Sequence, residues 1–146
     1  MTRALLDVNV LMALAWPEAQ HHGLCIRWFG RHSAEGFATC SVTESGFVRL
    51  CMNPAAAPRV IAAEDALSLL GRWRELPGFQ FLPADRPLSP AELPVKRLRG
   101  HRQVTDAVLL GLARRHGARL VTLDARVSAL CPDDSWRSCL DVLAAA

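Results

Sequence analysis

The sequence lacks any apolar run that approaches the roughly 20 residues of a membrane-spanning helix. It also opens without the basic, apolar and small-residue succession of a secretory signal peptide. Its five cysteines are spread along the chain without a CxxC pair, so neither a zinc site nor a disulfide framework is expected. We therefore expect a cytoplasmic protein with reduced, mostly buried thiols.

Lysine is nearly absent, because Lys96 is the one lysine among 17 basic residues and the other sixteen are arginines. The formal net charge is only +3, since 14 acidic residues oppose them. If several of those acids lie in one pocket, the remaining surface is distinctly basic, which suits a phosphate-rich partner. An arginine bias also arises in GC-rich genomes, so this observation alone leaves both explanations open.

The length of 146 residues and the hydrophobic share of 51% predict one domain, residues 1–146, with a substantial core. Short apolar strands alternate with helical segments along the chain. This pattern predicts an α/β fold with a central parallel sheet of four to five strands and helices on both faces. The predicted strands cover residues 4–6, 36–40, 79–82 and 119–123, with a weak final strand around 136–140. The predicted helices cover residues 8–14, 19–32, 41–51, 62–76 and 104–116, and an irregular proline-rich segment covers 83–102.

Acidic residues directly follow two of the predicted strands. Asp7 follows the first strand, with Asn9 two residues further on, and Asp124 follows strand 119–123. In an open α/β sheet, ligands bind outside the carboxyl ends of the strands, which all lie at one edge when the strands are parallel. An aspartate at the end of a strand is also a common turn or helix N-cap residue, so each one taken alone is ambiguous.

Two further acids begin helices at that same edge, Glu44 and Asp106. Each has an ordinary structural explanation as well. Ser41 and Glu44 have the spacing of a capping box, and an acid in the first turn of a helix favours the helix dipole. Four converging carboxylates repel one another unless a cation lies between them. Oxygen ligands without histidine or cysteine favour Mg²⁺ or Mn²⁺ over zinc, and hydrolysis of a phosphodiester is the chemistry that fits.

Four segments of the chain resemble the PIN-domain family and, more closely, the VapC-type toxin ribonucleases of bacterial toxin–antitoxin pairs. The segments are LLDVNVL at residues 5–11, TESGFVR at 43–49, RGHRQVTDAVLLGLA at 99–113 and GARLVTLD at 117–124. Their order and spacing cover the chain from residue 5 to about residue 125. The remaining C-terminal residues match the family poorly, so no role is carried over to them.

The resemblance implies a PIN-like domain acting as a Mg²⁺-dependent endoribonuclease, with Mn²⁺ as a substitute. It implies that Asp7 and Asp106 are the main metal ligands and that Asp124 and Glu44 complete the shell or orient water. The polar residues that match supporting positions are Asn9, Thr105 and Thr122. It also implies an RNA substrate such as tRNA or another structured RNA, a homodimer, and a cognate VapB-type antitoxin whose C-terminal segment blocks the pocket.

A basic cluster just before Asp106 predicts a binding surface at the rim of the acidic pocket. Its members are Lys96, Arg97, Arg99 and Arg102. Arginine forks bind phosphate groups bidentately, so this cluster suits an RNA backbone. Phosphate contacts position a nucleic acid without reading its sequence, so the cluster does not identify the RNA. A solvated loop that happens to be basic is the other interpretation.

Three other functions share part of this pattern. A haloacid-dehalogenase-type phosphatase also opens with a strand and an acidic motif, but Asn9 stands at the position of its second aspartate. A catalytically silent RNA-binding or interaction module on the same fold would be expected to have lost one of the acids. A DNA-directed nuclease of the same superfamily would need a helical arch and further acids that a chain of this length lacks. Cleavage assays on RNA, DNA and a generic phosphate ester distinguish them.

Overall fold

A parallel β-sheet lies at the centre of the computed structural model, which describes residues 3–144. Within those residues the strands are β1 (Ala4–Leu6), β2 (Phe37–Thr39), β3 (Phe79–Phe81), β4 (Arg119–Thr122) and β5 (Leu140–Val142). They are ordered β3-β2-β1-β4-β5, and every neighbouring pair is parallel. The first strand of the chain is therefore the central strand, with β4 directly beside it.

Helices cover both faces of this sheet. In the described part of the chain they are α1 (Val8–Ala15), α2 (His22–His32), α3 (Ser41–Cys51), α4 (Ala63–Arg74), α5 (Val104–Arg115) and α6 (Asp134–Arg137). Short 3₁₀ segments lie at Ser33–Glu35, Val95–Arg97, His101–Gln103 and Ala125–Leu130. The predicted α/β fold with a parallel sheet and helices on both faces is confirmed.

The core consists of two layers, one on each side of the sheet. Leu5 in the middle of β1 packs in the layer that contains Leu109 and Leu110 of α5. Its neighbours Ala4 and Leu6 point to the opposite layer, against the side chains of α1 to α4. Because both faces are buried, the central strand is continuously apolar and does not alternate with polar residues. This burial explains why so short a strand is recognisable in the sequence.

Two predicted elements differ from the structure by three or more residues at a boundary, and the others differ by no more than two. The helix predicted over residues 19–32 begins only at His22, because the chain between Trp16 and His22 forms turns. The imidazole Nδ1 of His22 lies 2.7 Å from the carbonyl oxygen of Ala13, which ties this turn back to α1. The final strand predicted around residues 136–140 is Leu140–Val142, because Trp136 lies in α6.

The prediction about the cysteines can be compared with the described residues. All five cysteines are buried free thiols, as predicted. The predicted domain of residues 1–146 includes residues 1–2 and 145–146, which lie outside the described part. Between residues 3 and 144, no helix is both long and apolar enough to cross a membrane.

Candidate acidic active site

Aspartates follow the neighbouring strands β1 and β4 at the same edge of the sheet. Asp7 is only 7% exposed, and its Oδ1 accepts a 2.7 Å hydrogen bond from the backbone N–H of Val8 as the N-cap of α1. Asp124 caps the Ala125–Leu130 segment by accepting a 3.0 Å bond from the N–H of Arg126. Both N-cap interpretations are therefore correct. A carboxylate oxygen can accept more than one hydrogen bond. The capping bonds therefore orient both carboxylates and leave them able to bind a further ligand.

The hydroxyl group of Thr122, the last residue of β4, links the two aspartates. It donates a 2.7 Å hydrogen bond to Oδ2 of Asp7. It accepts bonds from Nδ2 of Asn9 at 3.0 Å and from the backbone N–H of Asp124 at 3.1 Å. Oδ1 of Asn9 in turn accepts from the N–H of Leu123 at 3.1 Å. This network joins the start of α1 to the end of β4 and holds the Asp7 carboxylate in one orientation.

Asp106 joins these two acids from the first turn of α5. Partial burial, together with the negative charges of Asp7 and Asp124, raises the pKa of Asp106 to about 6. The pKa of Asp7 is also raised, mainly by burial and to a smaller extent by the charge of Asp124. The pKa of Asp124 is instead lowered, because the side chain of Arg126 donates to it. Three of the four predicted acids therefore share one electrostatic environment.

Glu44 is held in a separate ion pair. Its Oε1 accepts a 2.6 Å bond from Nη2 of Arg74, and its Oε2 accepts a 2.6 Å bond from the hydroxyl of Thr39. Thr39 ends β2 and Arg74 lies in the last turn of α4. Glu44 thus begins its helix near the end of a parallel strand, as predicted. Its carboxylate, however, is taken up by Arg74, and its charge contributes to none of the shifts of the three aspartates.

The predicted capping box of Ser41 and Glu44 is wrong. The helix α3 begins at Ser41, so the N-cap is Cys40 and the third helical residue is Thr43. The Thr43 hydroxyl accepts a 3.1 Å bond from the backbone N–H of Cys40 and closes the box at that position. Glu44 lies one residue beyond the box and has no capping role.

The other predicted residues, Thr105 and the basic cluster, are exposed. Thr105 is exposed, and within residues 3–144 its side chain makes no hydrogen bond to an acid. The basic cluster is exposed along the 3₁₀ segments before α5, and its members are Lys96, Arg97, Arg99 and Arg102. The Val95–Arg97 segment packs beside Ala125–Leu130, the segment that Asp124 caps. The basic cluster therefore begins next to the part of the chain that follows Asp124.

The donor chemistry of the site fits a hard divalent cation. In the described residues no three histidine, cysteine or acidic side chains stand close enough together to hold a metal ion as they are. Mg²⁺, however, usually keeps several waters and binds through one or two carboxylates. Asp7 and Asp106 are the two acids of the site that could hold such an ion, since the ion pairs found at the site between residues 3 and 144 involve Glu44 and Asp124 instead. Their oxygen donors suit Mg²⁺ or Mn²⁺.

Sequence reasoning missed two arginines that contact the acids. Arg126 follows Asp124 by two residues, and an aspartate commonly binds the backbone two residues on, so this contact was open to prediction. Arg74 is 30 residues from Glu44 in the chain, and only the packing of α4 beside α3 brings it there.

The chain matches known proteins over most of its length. Residues 4–131 match the model of the PIN domain. Ribonuclease VapC38 of Mycobacterium tuberculosis (strain ATCC 25618 / H37Rv) is 48% identical over 127 residues, which cover 87% of this chain and 89% of that protein. Ribonuclease VapC39 of Mycobacterium tuberculosis (strain CDC 1551 / Oshkosh) is 41% identical over 126 residues, which cover 86% of this chain and 91% of that protein.

Two solved structures share the fold. The structure of VapBC2 from Rickettsia felis, bound to a DNA fragment from its promoter, has a TM-score of 0.61 at 14% identity and covers 88% of this chain and 93% of that one. The structure of Mycobacterium tuberculosis VapC20, a toxin that cleaves the sarcin–ricin loop, has a TM-score of 0.55 at 14% identity, covering 86% and 93%. The sheet order, the acidic edge and these matches lead to one conclusion: the chain belongs to the PIN-domain family and, within it, to the VapC ribonucleases.

Proposed function

We propose that the chain is a divalent-metal-dependent endoribonuclease, the toxin of a VapBC-type toxin–antitoxin module, and that it hydrolyses RNA phosphodiester bonds at the acidic site. The observation that carries the proposal is the shared environment of Asp7, Asp106 and Asp124 at the carboxyl ends of β1 and β4. Keeping negative charge half-buried costs free energy, and a site that retains it gains from a bound cation. The relatives at 48% and 41% identity carry the name ribonuclease.

In this proposal Asp7 and Asp106 hold the cation, and Asp124 and Glu44 complete its surroundings or orient water. When bound, Mg²⁺ or Mn²⁺ supplies polarisation of the phosphodiester and a water molecule of lowered pKa. Thr122 and Asn9 keep the Asp7 carboxylate in place through their hydrogen bonds, so that little rearrangement is needed at the moment of reaction. Thr105 is kept as a supporting residue at the exposed start of α5.

The proposed partners follow from the same assignment. The proposed substrate is RNA, with tRNA or another structured RNA as the candidate class, and the proposed location of the protein is the cytoplasm. A cognate VapB-type antitoxin would block the acidic pocket with its C-terminal segment, and the toxin would be a homodimer. The solved Rickettsia felis relative is a VapBC assembly, which supports an antitoxin partner for this chain.

Cleavage of total cellular RNA tests the proposed activity. We expect discrete products from the purified protein with Mg²⁺ or Mn²⁺, none with EDTA, and none from Asp7→Asn with either metal. Asparagine caps a helix about as well as aspartate, so this substitution removes a ligand charge while keeping the N-cap of α1. The measurement is gel or sequencing analysis of the products after matched incubation.

Asp133→Asn is the matched control, because Asp133 is also an N-cap aspartate and accepts a 3.1 Å bond from the N–H of Trp136 in α6. It should cut RNA like the wild type. Equal cleavage by Asp7→Asn and wild-type protein would contradict the assignment of the site. RNA binding without any cleavage would instead support the catalytically silent module. Turnover of a generic phosphate ester would indicate the phosphatase, and a preference for DNA would indicate the DNA-directed nuclease.

The basic cluster supplies the proposed RNA-backbone contacts. Replacing Arg97, Arg99 and Arg102 together with glutamine, in the non-cleaving Asp7→Asn protein, should weaken RNA binding and lower its salt dependence. Each phosphate contact on a single strand contributes roughly 0.7 to the slope of log affinity against log salt, so the slope should fall by about 2. Fluorescence anisotropy of a labelled RNA at several salt concentrations measures this slope.

A matched triple variant separates the cluster from total charge. Arg27 and Arg31 of α2 and Arg72 of α4 are exposed on the opposite side of the sheet. Replacing them with glutamine changes the net charge equally and should leave the slope nearly unchanged. Equal losses in both triple variants would mean that only the overall charge matters, and the cluster would then be an ordinary solvated loop.

A further inference from the structure

Arg126 makes the most extensive contact with any acid of the site. Its Nε donates to Oδ1 of Asp124 and its Nη2 donates to Oδ2, both at 3.0 Å. Its backbone N–H donates to the same Oδ1, also at 3.0 Å. Both oxygens of Asp124 are therefore occupied by one arginine, in the parallel two-bond arrangement that guanidinium and carboxylate groups favour.

This contact is open to solvent, because the Arg126 side chain is 91% exposed while that of Asp124 is 28% exposed. Exposed ion pairs are weak, since water and salt screen the charges and the long side chain loses freedom when it is held in place. The backbone of Arg126, in contrast, is held by the capping bond to Asp124. A guanidinium group released from the carboxylate would therefore stay attached to backbone that lies beside Asp124.

The charge of Arg126 also acts on a second acid, because it lowers the pKa of Asp106 against the opposing effects of burial and the other aspartates. Arg126 is thus a counter-ion to two of the three aspartates, Asp124 and Asp106. Arg74 differs, because it pairs with Glu44 and contributes to the pKa of neither Asp7 nor Asp106. Of these two arginines, Arg126 is the one whose charge acts on Asp106, a proposed metal ligand.

We propose that Arg126 is a displaceable counter-ion of the active site, which holds Asp124 in the metal-free protein and binds an RNA backbone phosphate once a divalent cation claims that carboxylate. This inference rests on the proposed function, since it assumes that the acids bind metal. A guanidinium fork that fits a carboxylate also fits a phosphate group. The basic cluster begins beside the same segment, so the freed arginine would extend a surface suited to an RNA backbone.

The inference requires opposite effects on two ligands. Without Arg126 no side chain competes for Asp124, so a divalent cation should bind more tightly. The same change removes a phosphate contact, so RNA should bind more weakly in the presence of metal. A residue that merely supports the local structure would weaken both interactions when it is removed.

Isothermal titration of Mn²⁺ into metal-free wild-type and Arg126→Gln protein measures the first effect. We expect the affinity of Arg126→Gln for Mn²⁺ to be about threefold to tenfold higher, as for loss of one weak competing ion pair. The second effect is measured by anisotropy at saturating Mn²⁺, with a short labelled 2′-O-methyl RNA of mixed sequence that is checked for integrity afterwards. Here we expect about threefold to tenfold weaker binding. Arg126→Lys, which keeps the charge but not the fork, should restore part of the RNA affinity.

Arg86→Gln is the matched control, because Arg86 also forms an exposed ion pair, with Glu92, outside the acidic group. It should change neither affinity. Unchanged or weaker Mn²⁺ binding by Arg126→Gln would overturn the inference, and so would unchanged RNA binding. If the wild type itself bound no Mn²⁺, the proposed metal site would fail and this inference with it, a result distinct from wild-type binding that Arg126→Gln leaves unaltered.

Discussion

Replacing Asp106 with asparagine is expected to lower the rate of RNA cleavage at least about a thousandfold while leaving the protein folded. A metal site supplies several kcal/mol of transition-state stabilisation, and every 1.36 kcal/mol corresponds to about tenfold in rate. Asparagine has nearly the same shape as aspartate but lacks the charge that would hold the cation. Single-turnover cleavage of one RNA that the wild type cuts, at saturating Mg²⁺, measures the loss. Circular dichroism verifies the fold.

Asp65→Asn is the matched control, because Asp65 occupies in α4 the position that Asp106 occupies in α5, the third residue of the helix. Asp65 is exposed and is not one of the four acids of the predicted site. Its replacement should alter the cleavage rate less than about twofold, as for a surface substitution. A cleavage rate of Asp106→Asn equal to the wild type would remove Asp106 from the mechanism.

The Asp106→Asn variant should be more stable than the wild type in EDTA, and the difference in stability should depend on pH. The pKa of Asp106 is about 6 in the folded protein, against 3.8 in the unfolded chain. The folded protein thus binds more protons between these values, and its stability falls as the pH rises through them. Asparagine does not titrate, so the variant does not lose this stability. The gain in its free energy of unfolding over the wild type should be absent below about pH 4 and complete above about pH 6.5. Because Asp106 is partly exposed, we expect the free energy of unfolding of the variant to exceed that of the wild type by only about 1 kcal/mol at the higher pH. Urea unfolding at pH 4 and 7.5 measures this difference.

Gly111→Ala is expected to destabilise the protein by about 2 kcal/mol. Gly111 lies in the middle of α5 and is buried, and a Cβ atom placed there would overlap the carbonyl oxygen of Glu92. Inserting an atom into a packed region costs about 1–3 kcal/mol or more, and here the obstacle is backbone that cannot rotate away. The better helix propensity of alanine offsets about 1 kcal/mol of this cost. Urea unfolding in EDTA gives the difference in free energy.

Gly71→Ala is the control, and here we expect a change in stability of the opposite sign. Gly71 occupies a comparable place in α4, but a Cβ atom there would meet nothing within 4 Å. Alanine should therefore stabilise the protein by up to about 1 kcal/mol through helix propensity alone. If Gly111→Ala were as stabilising as Gly71→Ala, the segment around Glu92 would not be packed tightly on α5. The position of the basic cluster, which follows Glu92 in the chain, would then not depend on the contact between Glu92 and Gly111.

Much of the fold and three of the four acids were predictable because they depend on short stretches of sequence. Strands buried on both faces must be apolar throughout, and the run Ala4–Leu6 therefore stands out. Once the strands are known to be parallel, Asp7 and Asp124 must lie at one edge. The helix that leads into β4 must begin at that edge, which brings Asp106 there. The boundary of α2 was less predictable, because the turn before it is held by a contact between His22 and Ala13.

The sequence by itself determined the α/β fold, the residues that enter the acidic edge and the oxygen-only character of their donors, because these follow from apolar patterning and the order of strands. Only the tertiary structure decided which acids are free. The packing of α4 beside α3 brings Arg74 to Glu44, 30 residues away in the chain. The contact of Arg126 with Asp124 is local, by contrast, and spans only two residues. The pKa of Asp106 likewise depends on burial and on charges from two other segments. Ion pairs and burial are set by distances between segments far apart in the chain, and local sequence patterns do not encode those distances.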